Sequence, residues 1–505
     1  MNKPGNKTKS EWSFSLALAA CFVAGVLLVV SRHEMWRDEV APWMIAKYTS
    51  SLRELFANAR YEGHPIPWYL VLYVITRFTT APEAMQYVNV MFSASMVVLV
   101  ARCSPFSRWF KVLFTFGFYP FYQYAVTSRG YALCTLMLFA MCALYPLRKT
   151  RLPVVALLMA VMANTDVYGW FYCVGFSVGI IVQWFLDRRN GKPWKASAPE
   201  FIACAALVLA GMVYSVKACA PPADGGWYTQ WYVTFSWDRL WKVLCSFAFD
   251  FNFGWLIIYV VPTLALLGWF TLSIRRKPAA MVTWVSFVVA IAVFYYTKFL
   301  PLPWNKGMVL MFIVACLWLS REEKELEPQF PKQESILDRV TPESFVRVFA
   351  WVLALYVLYG GKWIAQDLMH PYSTAKMAAD FIKRQSLENS LIVGDPDFVT
   401  QSVSGYLDKP IYYTASRSMG RYVIWNNKRR WPRSDSMDQI AALRAKTSGR
   451  MIYIANRDTL PVDRPGFRAT LLSQMPPSVM KDERLWIYEI DPAPGGAAAQ
   501  PGQGR

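Results

Sequence analysis

The chain of 505 residues is 55% hydrophobic and 16% aromatic with a positive mean hydropathy, too apolar for an ordinary soluble protein of this size. Its formal net charge of +19 sits largely in loops at the ends of apolar runs, which is a membrane-topology signal and argues against nucleic acid as a partner.

In chain order, Met1–Ser10 is basic and Ser13–Val30 apolar. Leu18-Ala19-Ala20-Cys21 imitates a lipoprotein cleavage box, but Phe22–Val30 alone is too short to cross a bilayer. An uncleaved first span, Ser13–Ser31, is therefore expected, with the N-terminus inside. The first outer loop, 32–82, contains the apolar stretch Ile66–Phe78. At about 13 residues it is shorter than a span and suits a re-entrant or surface-lying helix. Leaving it out of the count orders the rest. Span two, Glu83–Ala101, is followed by Arg102, Arg108 and Lys111, and span three runs to Val126. Span four, Tyr131–Leu147, is followed by Arg148, Lys149 and Arg151. Span six ends at Arg188, Arg189, Lys192 and Lys195, and span eight at Arg275, Arg276 and Lys277. Every basic cluster then falls on the side of the N-terminus, as Lys and Arg prefer; counting Ile66–Phe78 would reverse them all. Spans nine (Ala279–Thr297) and ten (Gly307–Leu319), a charged cytoplasmic stretch (Arg321–Glu343) and span eleven (Phe345–Trp363) complete a membrane domain over 1–363. The expected fold is a polytopic α-helical membrane protein of about eleven spans, with juxtamembrane helices in the first outer loop and a C-terminal soluble α/β domain outside the cytoplasm.

That second domain covers 364–491. Ser373 caps a helix over Thr374–Arg384, and Phe398–Leu407 and Met437–Lys446 also read as helices. Leu391–Val393, Ile411–Thr414, Tyr422–Trp425, Met451–Ala455 and Leu485–Ile490 read as strands, and the alternation predicts an open α/β layer. None of the nine cysteines lies beyond Cys316, so this domain has no disulfide framework. Residues 492–505 are low-complexity and expected to be a disordered tail.

The first outer loop opens with Arg32-His33-Glu34-Met35-Trp36-Arg37-Asp38-Glu39, and a helix is expected from Val40 with Pro42 in its first turn. Neighbouring helical residues point about 100° apart, so Asp38 and Glu39 cannot do the same job. One faces a cleft while the other anchors the loop; a solvated acidic pair at a helix start is the plainer alternative. The loop continues to Glu62-Gly63-His64-Pro65-Ile66-Pro67-Trp68-Tyr69, whose aromatics also suit a simple interfacial anchor. Arg129, Asp166 and Lys306 stand in other outer loops. Arg129 with Asp166 is either a structural pair or one wall of a cleft. Arg and Lys suit phosphate, carboxylates suit deprotonating a hydroxyl or holding a metal, and apolar aromatic walls suit a lipid chain. A lipid-linked phosphate substrate fits all three.

Trp36-x-Asp38-Glu39, followed in the same loop by Glu62 to Tyr69, resembles the GT-C glycosyltransferases, nearest the branch of the lipid A aminoarabinose transferase and the protein O-mannosyltransferases. The likeness is good over roughly residues 13–190 and looser to about 363. The chain departs from relatives at Ile66, where a second proline is frequent. It also lacks an acid shortly after Arg129, and it carries Asp166 where a histidine is frequent. The resemblance implies an enzyme of the bacterial inner membrane that moves a hexosyl or pentosyl group from a polyprenyl-phosphate-linked donor to an extracytoplasmic glycan, lipid or protein. It implies Asp38 as general base or acceptor-positioning carboxylate, with Glu39 supporting the loop by pairing with Arg37 or Arg129. Arg129 and Lys306 would bind the carrier phosphate, while Glu62, His64, Asp166 and Tyr131 would line the acceptor or sugar side. A divalent cation is left open: Asp38, Glu62 and His64 would supply ligands, but no spacing dictates it. In the soluble domain, Lys428-Arg429-Arg430 with Trp425 and Trp431, and the turn Asp395-Pro396-Asp397, suit an anionic headgroup or are merely solvated loops.

Two other classes share these features. A transporter or flippase of lipid-linked sugars would show internal repeats and midplane charge, which the sequence lacks. A polyprenyl-dependent glycan ligase uses the same chemistry and the sequence does not separate it.

Overall fold

The computed structural model describes residues 4–192, 194–226, 231–249, 256–323, 339–430, 435–457, 463–464 and 466–493. Trp431, most of the charged stretch 321–343 and the tail from 494 lie outside these residues.

α1 (Pro4–Val30) leads into three short helices, α2 (Arg37–Tyr48), α3 (Leu52–Ala59) and α4 (Pro67–Ile75). Then come α5 (Glu83–Cys103) and α6 (Arg108–Thr115), the latter followed by a π-helical segment over Phe118–Val126. α7 (Tyr131–Leu144), α8 (Leu152–Met162), α9 (Val167–Arg189), α10 (Ala198–Cys219), α11 (Trp237–Ser246) and α12 (Leu256–Ser273) follow. α13 (Pro278–Thr297), α14 (Pro303–Glu322) and α15 (Pro342–Met369) complete the helical part. Among the described residues eight helices are long and apolar enough to cross a membrane: α1, α5, α7 with its extension to Lys149, α9, α10, α13, α14 and α15. The other three expected spans are shorter: α8, α12, and α6 with its π continuation. The chain is an integral membrane protein. α4 has nine residues, about 13 Å of helix, far less than a bilayer core.

The bundle packs around α14, which is buried from Gly307 to Ser320. α9 approaches α13 closely because Gly179 faces it; a Cβ there would lie 1.9 Å from Thr283 Oγ1. At one end of the bundle the basic clusters meet. Arg108 pairs with Glu11, Arg321 donates to the Pro105 carbonyl, and Lys277 donates to the Glu323 carbonyl. Lys149 pairs with Asp187 at 2.6 Å, and Lys195 N–H donates to the Lys149 carbonyl. The opposite end carries α2–α4 and is capped by the C-terminal domain.

That domain contains α16 (Ala375–Arg384), β1 (Leu391–Asp395), α17 (Asp397–Leu407), β2 (Ile411–Tyr413), β3 (Ser418–Gly420), α18 (Ser436–Lys446), β4 (Met451–Ala455), β5 (Asp463–Arg464), β6 (Phe467–Gln474) and β7 (Trp486–Pro492). The strands form one sheet in the order β3-β2-β1-β4-β7-β6-β5, with β1 parallel to β2 and β4. α16 and α17 cover the face bearing Ile392, Ile452 and Ile487, and α18 covers the face bearing Val393, Tyr453 and Ile490.

Two expectations need correction. Residues 422–425 are not a strand; the partner of β2 is β3, a few residues earlier. The Val423 N–H is taken by Gln401 Oε1 and the Trp425 carbonyl by Gly226 N–H, so this backbone leaves the sheet to meet the membrane domain. α2 starts at Arg37, not Val40, which places Pro42 inside the helix rather than in its first turn. The Glu39 carboxylate receives the Trp36 N–H at 3.4 Å and so starts the helix early.

Candidate active site

The capped end is organised around a buried histidine. His33 follows α1, and its ring bonds Asp367 Oδ2 through Nδ1 at 2.7 Å and Glu39 Oε2 through Nε2 at 3.0 Å. All three side chains are fully buried. Burial works against a charged ring, but the two carboxylates prevail and raise His33 to about 10. The imidazolium therefore donates from both nitrogens. Tyr122 Oη donates to Asp367 Oδ2 at 2.9 Å, and Ser128 N–H donates to Glu39 Oε1 at 2.6 Å. Glu39 thus ties α2 to the first span, the last span and the loop before α7. This replaces the expected pairing of Glu39 with Arg37 or Arg129.

With Glu39 turned inward, its neighbour Asp38 turns outward and keeps 32% of its side chain exposed. Arg129 Nη1 lies 3.1 Å from Asp38 Oδ2. The Arg129 guanidinium sits 5.2 Å over the Tyr131 ring, and Asn305 Nδ2 donates to Tyr131 Oη at 2.8 Å. Burial opposes the Arg129 charge, but Tyr131, Asp38 and Asp166 outweigh it and keep the group cationic. The direct Arg129–Asp166 pair is not formed. Asp166 caps α9, its Oδ1 accepting the Tyr168 N–H at 3.0 Å, and burial raises it to about 6 against the opposing pull of that bond and of Arg129.

Glu62 and His64 flank Gly63, whose φ of 68° is a left-handed turn that glycine adopts without strain. Burial, reinforced by the charge of Asp38, raises Glu62 to about 8, so it is mainly neutral at pH 7. His64 stands exposed on the wall of a cavity of about 430 Å³, shared with Phe56, Arg60, Ile66, Tyr214 and Lys217. Desolvation on its protein side and the nearby Arg129 lower His64 against the pull of Asp38. The charges of Asp38 and Arg129 act on Glu62, His64 and Tyr131, so the five groups lie near one another at the capped end, with His64 alone of them on the cavity wall. Lys306 starts α14 beside Asn305 and interacts with Cys245 of α11. It is Asn305 that touches Tyr131. Among the described residues no three His, Cys, Asp or Glu side chains are grouped to hold a metal ion, so Asp38, Glu62 and His64 do not form a ligand set.

The C-terminal domain roofs this end. Arg37 Nη1 meets Glu483 Oε1 at 2.9 Å and Asp482 Oδ2 at 2.7 Å. Asn58 Nδ2 donates to Tyr422 Oη at 3.0 Å, and Gly225 bridges Asn426. Arg429 is taken up by Asp397, at 2.8 Å and nearly buried, so that part of the basic run is a structural pair and not a free headgroup site. Asp395 likewise engages Tyr453 and Arg457.

No protein-family model and no curated protein matches the chain. A solved structure does: the crystal structure of ArnT from Cupriavidus metallidurans bound to undecaprenyl phosphate. It aligns over 93% of this chain and 97% of its own, with a TM-score of 0.54 and 13% sequence identity. The chain has the fold of ArnT. The expected architecture, a helical membrane bundle with short helices in the first loop and a C-terminal α/β domain, is thus shared with that structure across nearly the whole length.

His33, Tyr122, Asp367 and Glu483 were not singled out by the sequence. His33 stands in the quoted loop, and a histidine among only three in the chain, next to an acid-rich motif, was the available signal. Asp367 and Glu483 carry no local signal, since their partners lie hundreds of residues away.

Proposed function

We propose that the protein is a glycosyltransferase that moves a sugar from a polyprenyl-phosphate carrier to a hydroxyl-bearing acceptor outside the cytoplasm, in a bacterial inner membrane. The observation that carries this reading is Asp38, a part-exposed carboxylate 3.1 Å from Arg129, at the capped end of an ArnT-like bundle. The ArnT structure holding undecaprenyl phosphate supports a lipid-phosphate donor.

In this reading Asp38 accepts the acceptor's hydroxyl proton as the oxygen attacks the anomeric carbon. The bond from that carbon to the phosphate oxygen breaks, and the carrier phosphate leaves with the charge. Arg129, with Lys306 further along the chain's path, neutralises that charge. A single displacement inverts the anomeric centre. Glu62, neutral at pH 7, and the uncharged His64 offer hydrogen bonds to sugar or acceptor without adding charge beside Asp38. Tyr131 orients Arg129, and Asp166 holds the start of α9 behind it. The one-sided charge cluster favours a surface reaction over passage through the bilayer.

The test uses purified full-length protein in nanodiscs with undecaprenyl phosphate bearing a tritiated sugar, and a cell-envelope extract as acceptor source. Asp38→Asn should lower turnover by about 100-fold or more while undecaprenyl phosphate still binds. Undiminished transfer by this variant would sink the assignment of Asp38.

A further inference from the structure

We propose that Glu483 of the C-terminal domain is a positioning residue for the reaction, holding Arg37 away from Asp38 so that Asp38 stays available to the acceptor. The proposal rests on the reading of Asp38 given above.

Asp38 lies between two guanidinium groups. Arg129 pairs with its Oδ2 at 3.1 Å, whereas Arg37 Nε stands back at 3.9 Å from its Oδ1. Arg37 stands back because it is drawn upward, to Glu483 at 2.9 Å and Asp482 at 2.7 Å, and lies against the rings of Trp36 and Phe398. Glu483 is fully buried, and its second oxygen receives Ser373 Oγ at 2.9 Å. Its backbone carbonyl receives Thr374 Oγ1 at 2.8 Å. The carboxylate is therefore fixed by its own domain before it meets Arg37. A largely enclosed guanidinium that loses its buried carboxylate strengthens its remaining pairs, because unpaired charge away from water is costly. Asp482 still holds Nη1 at 2.7 Å, but it is half-exposed and screened by water, so the Nε edge of Arg37 turns to Asp38, 3.9 Å away. A second tight pair there would lower the basicity of Asp38 and occupy Oδ1, the oxygen that Arg129 does not hold.

The charged groups facing Glu483 are Arg37, Asp482 and Asp38. Burial raises Glu483 to about 7 against the pull of Arg37. It holds Arg37 as an anion above that pH and releases it as pH falls.

The experiment compares full-length wild type, Glu483→Gln and Ser373→Ala in nanodiscs, with the tritiated-sugar undecaprenyl phosphate as donor. Glu483→Gln should lower kcat about tenfold at pH 8 and leave the donor KM within about twofold. The ratio of wild type to variant should shrink towards one below about pH 6, where the wild-type carboxyl is itself protonated. Ser373→Ala, a milder change, should move kcat in the same direction by less. A general folding defect would give a pH-independent loss. An unchanged kcat at pH 8, a loss confined to KM, or a ratio flat in pH overturns the proposal. Hydrogen exchange over Met35–Met44 gives a readout apart from activity: faster exchange in Glu483→Gln supports the anchor, and equal exchange overturns it. If wild type transfers no sugar, the glycosyltransferase reading fails while this exchange measurement still decides the anchor.

Discussion

At the scale of single residues, the most consequential group is His33. One imidazolium sits between Glu39 and Asp367 with all three side chains buried, so two anions depend on one cation and a few donors. Desolvating such charges is expensive, and removing one partner typically costs about 3–5 kcal/mol. His33→Ala should therefore destabilise the protein by about that amount, read as a marked drop in the thermal midpoint in detergent. Asp367→Asn, which keeps a polar atom on His33, should cost less. The pH dependence follows from the raised value. The contribution of His33 is fully present below its unfolded value of 6.5 and is lost as pH rises through about 10. Wild type should lose stability across that window, and His33→Ala should lose less. Equal alkaline sensitivity of the two proteins would refute the charged-histidine account.

Elements show where sequence reading succeeds and where it stops. The long apolar helices and the strands β1, β4 and β7 were legible because one-dimensional hydrophobicity and length carry them. β6 was not legible, because a register shift between Leu471 and Ser473 breaks the alternation that marks a half-buried strand. The pairing of Asp38 with Arg129 was within reach, since both stood in loops assigned to one face. The turn of Glu39 towards His33 was not, because its other anchor is Asp367, at the far end of the last span. The π-helical segment before Arg129 was also hidden. A π ladder leaves carbonyls poorly matched, and here buried Asn89 supplies the missing donor to the carbonyls of Tyr124, Ala125 and Thr127 at 2.9, 3.0 and 3.3 Å. Ser128, next in line, donates to Glu39, so this segment sets where Arg129 emerges. Asn89→Ala should cost about 1–3 kcal/mol by stranding those carbonyls. Asn89→Asp, the same size but without the amide donor, should lower transfer at least as much, because its carboxylate only accepts and faces three carbonyls. An alanine variant with wild-type turnover and melting would show that the segment does not position Arg129.

For the whole molecule the decisive quantity is parity. The basic clusters after α5, α7, α9 and α12 gather at one end of the bundle, tied to one another through Glu11, Asp187 and Glu323. The other end carries the candidate site and its roof. α4, with nine residues, adds no crossing between them. Lys and Arg are retained in the cytoplasm, so we propose that the clustered end faces inward and that the capped end with the C-terminal domain faces outward. Gly449 lies in the C-terminal domain with nothing within 4 Å of an added Cβ, so Gly449→Cys is a harmless reporter. Arg189, exposed at the end of α9, gives the opposite reporter as Arg189→Cys. In intact spheroplasts a membrane-impermeant maleimide should label Gly449→Cys above the background of the native cysteines, and Arg189→Cys only after permeabilisation. The reverse pattern would place the capped end in the cytoplasm. Labelling of both reporters from outside would mean that an even number of crossings separates them, not the five of α10, α12, α13, α14 and α15, and the span count would fall with it.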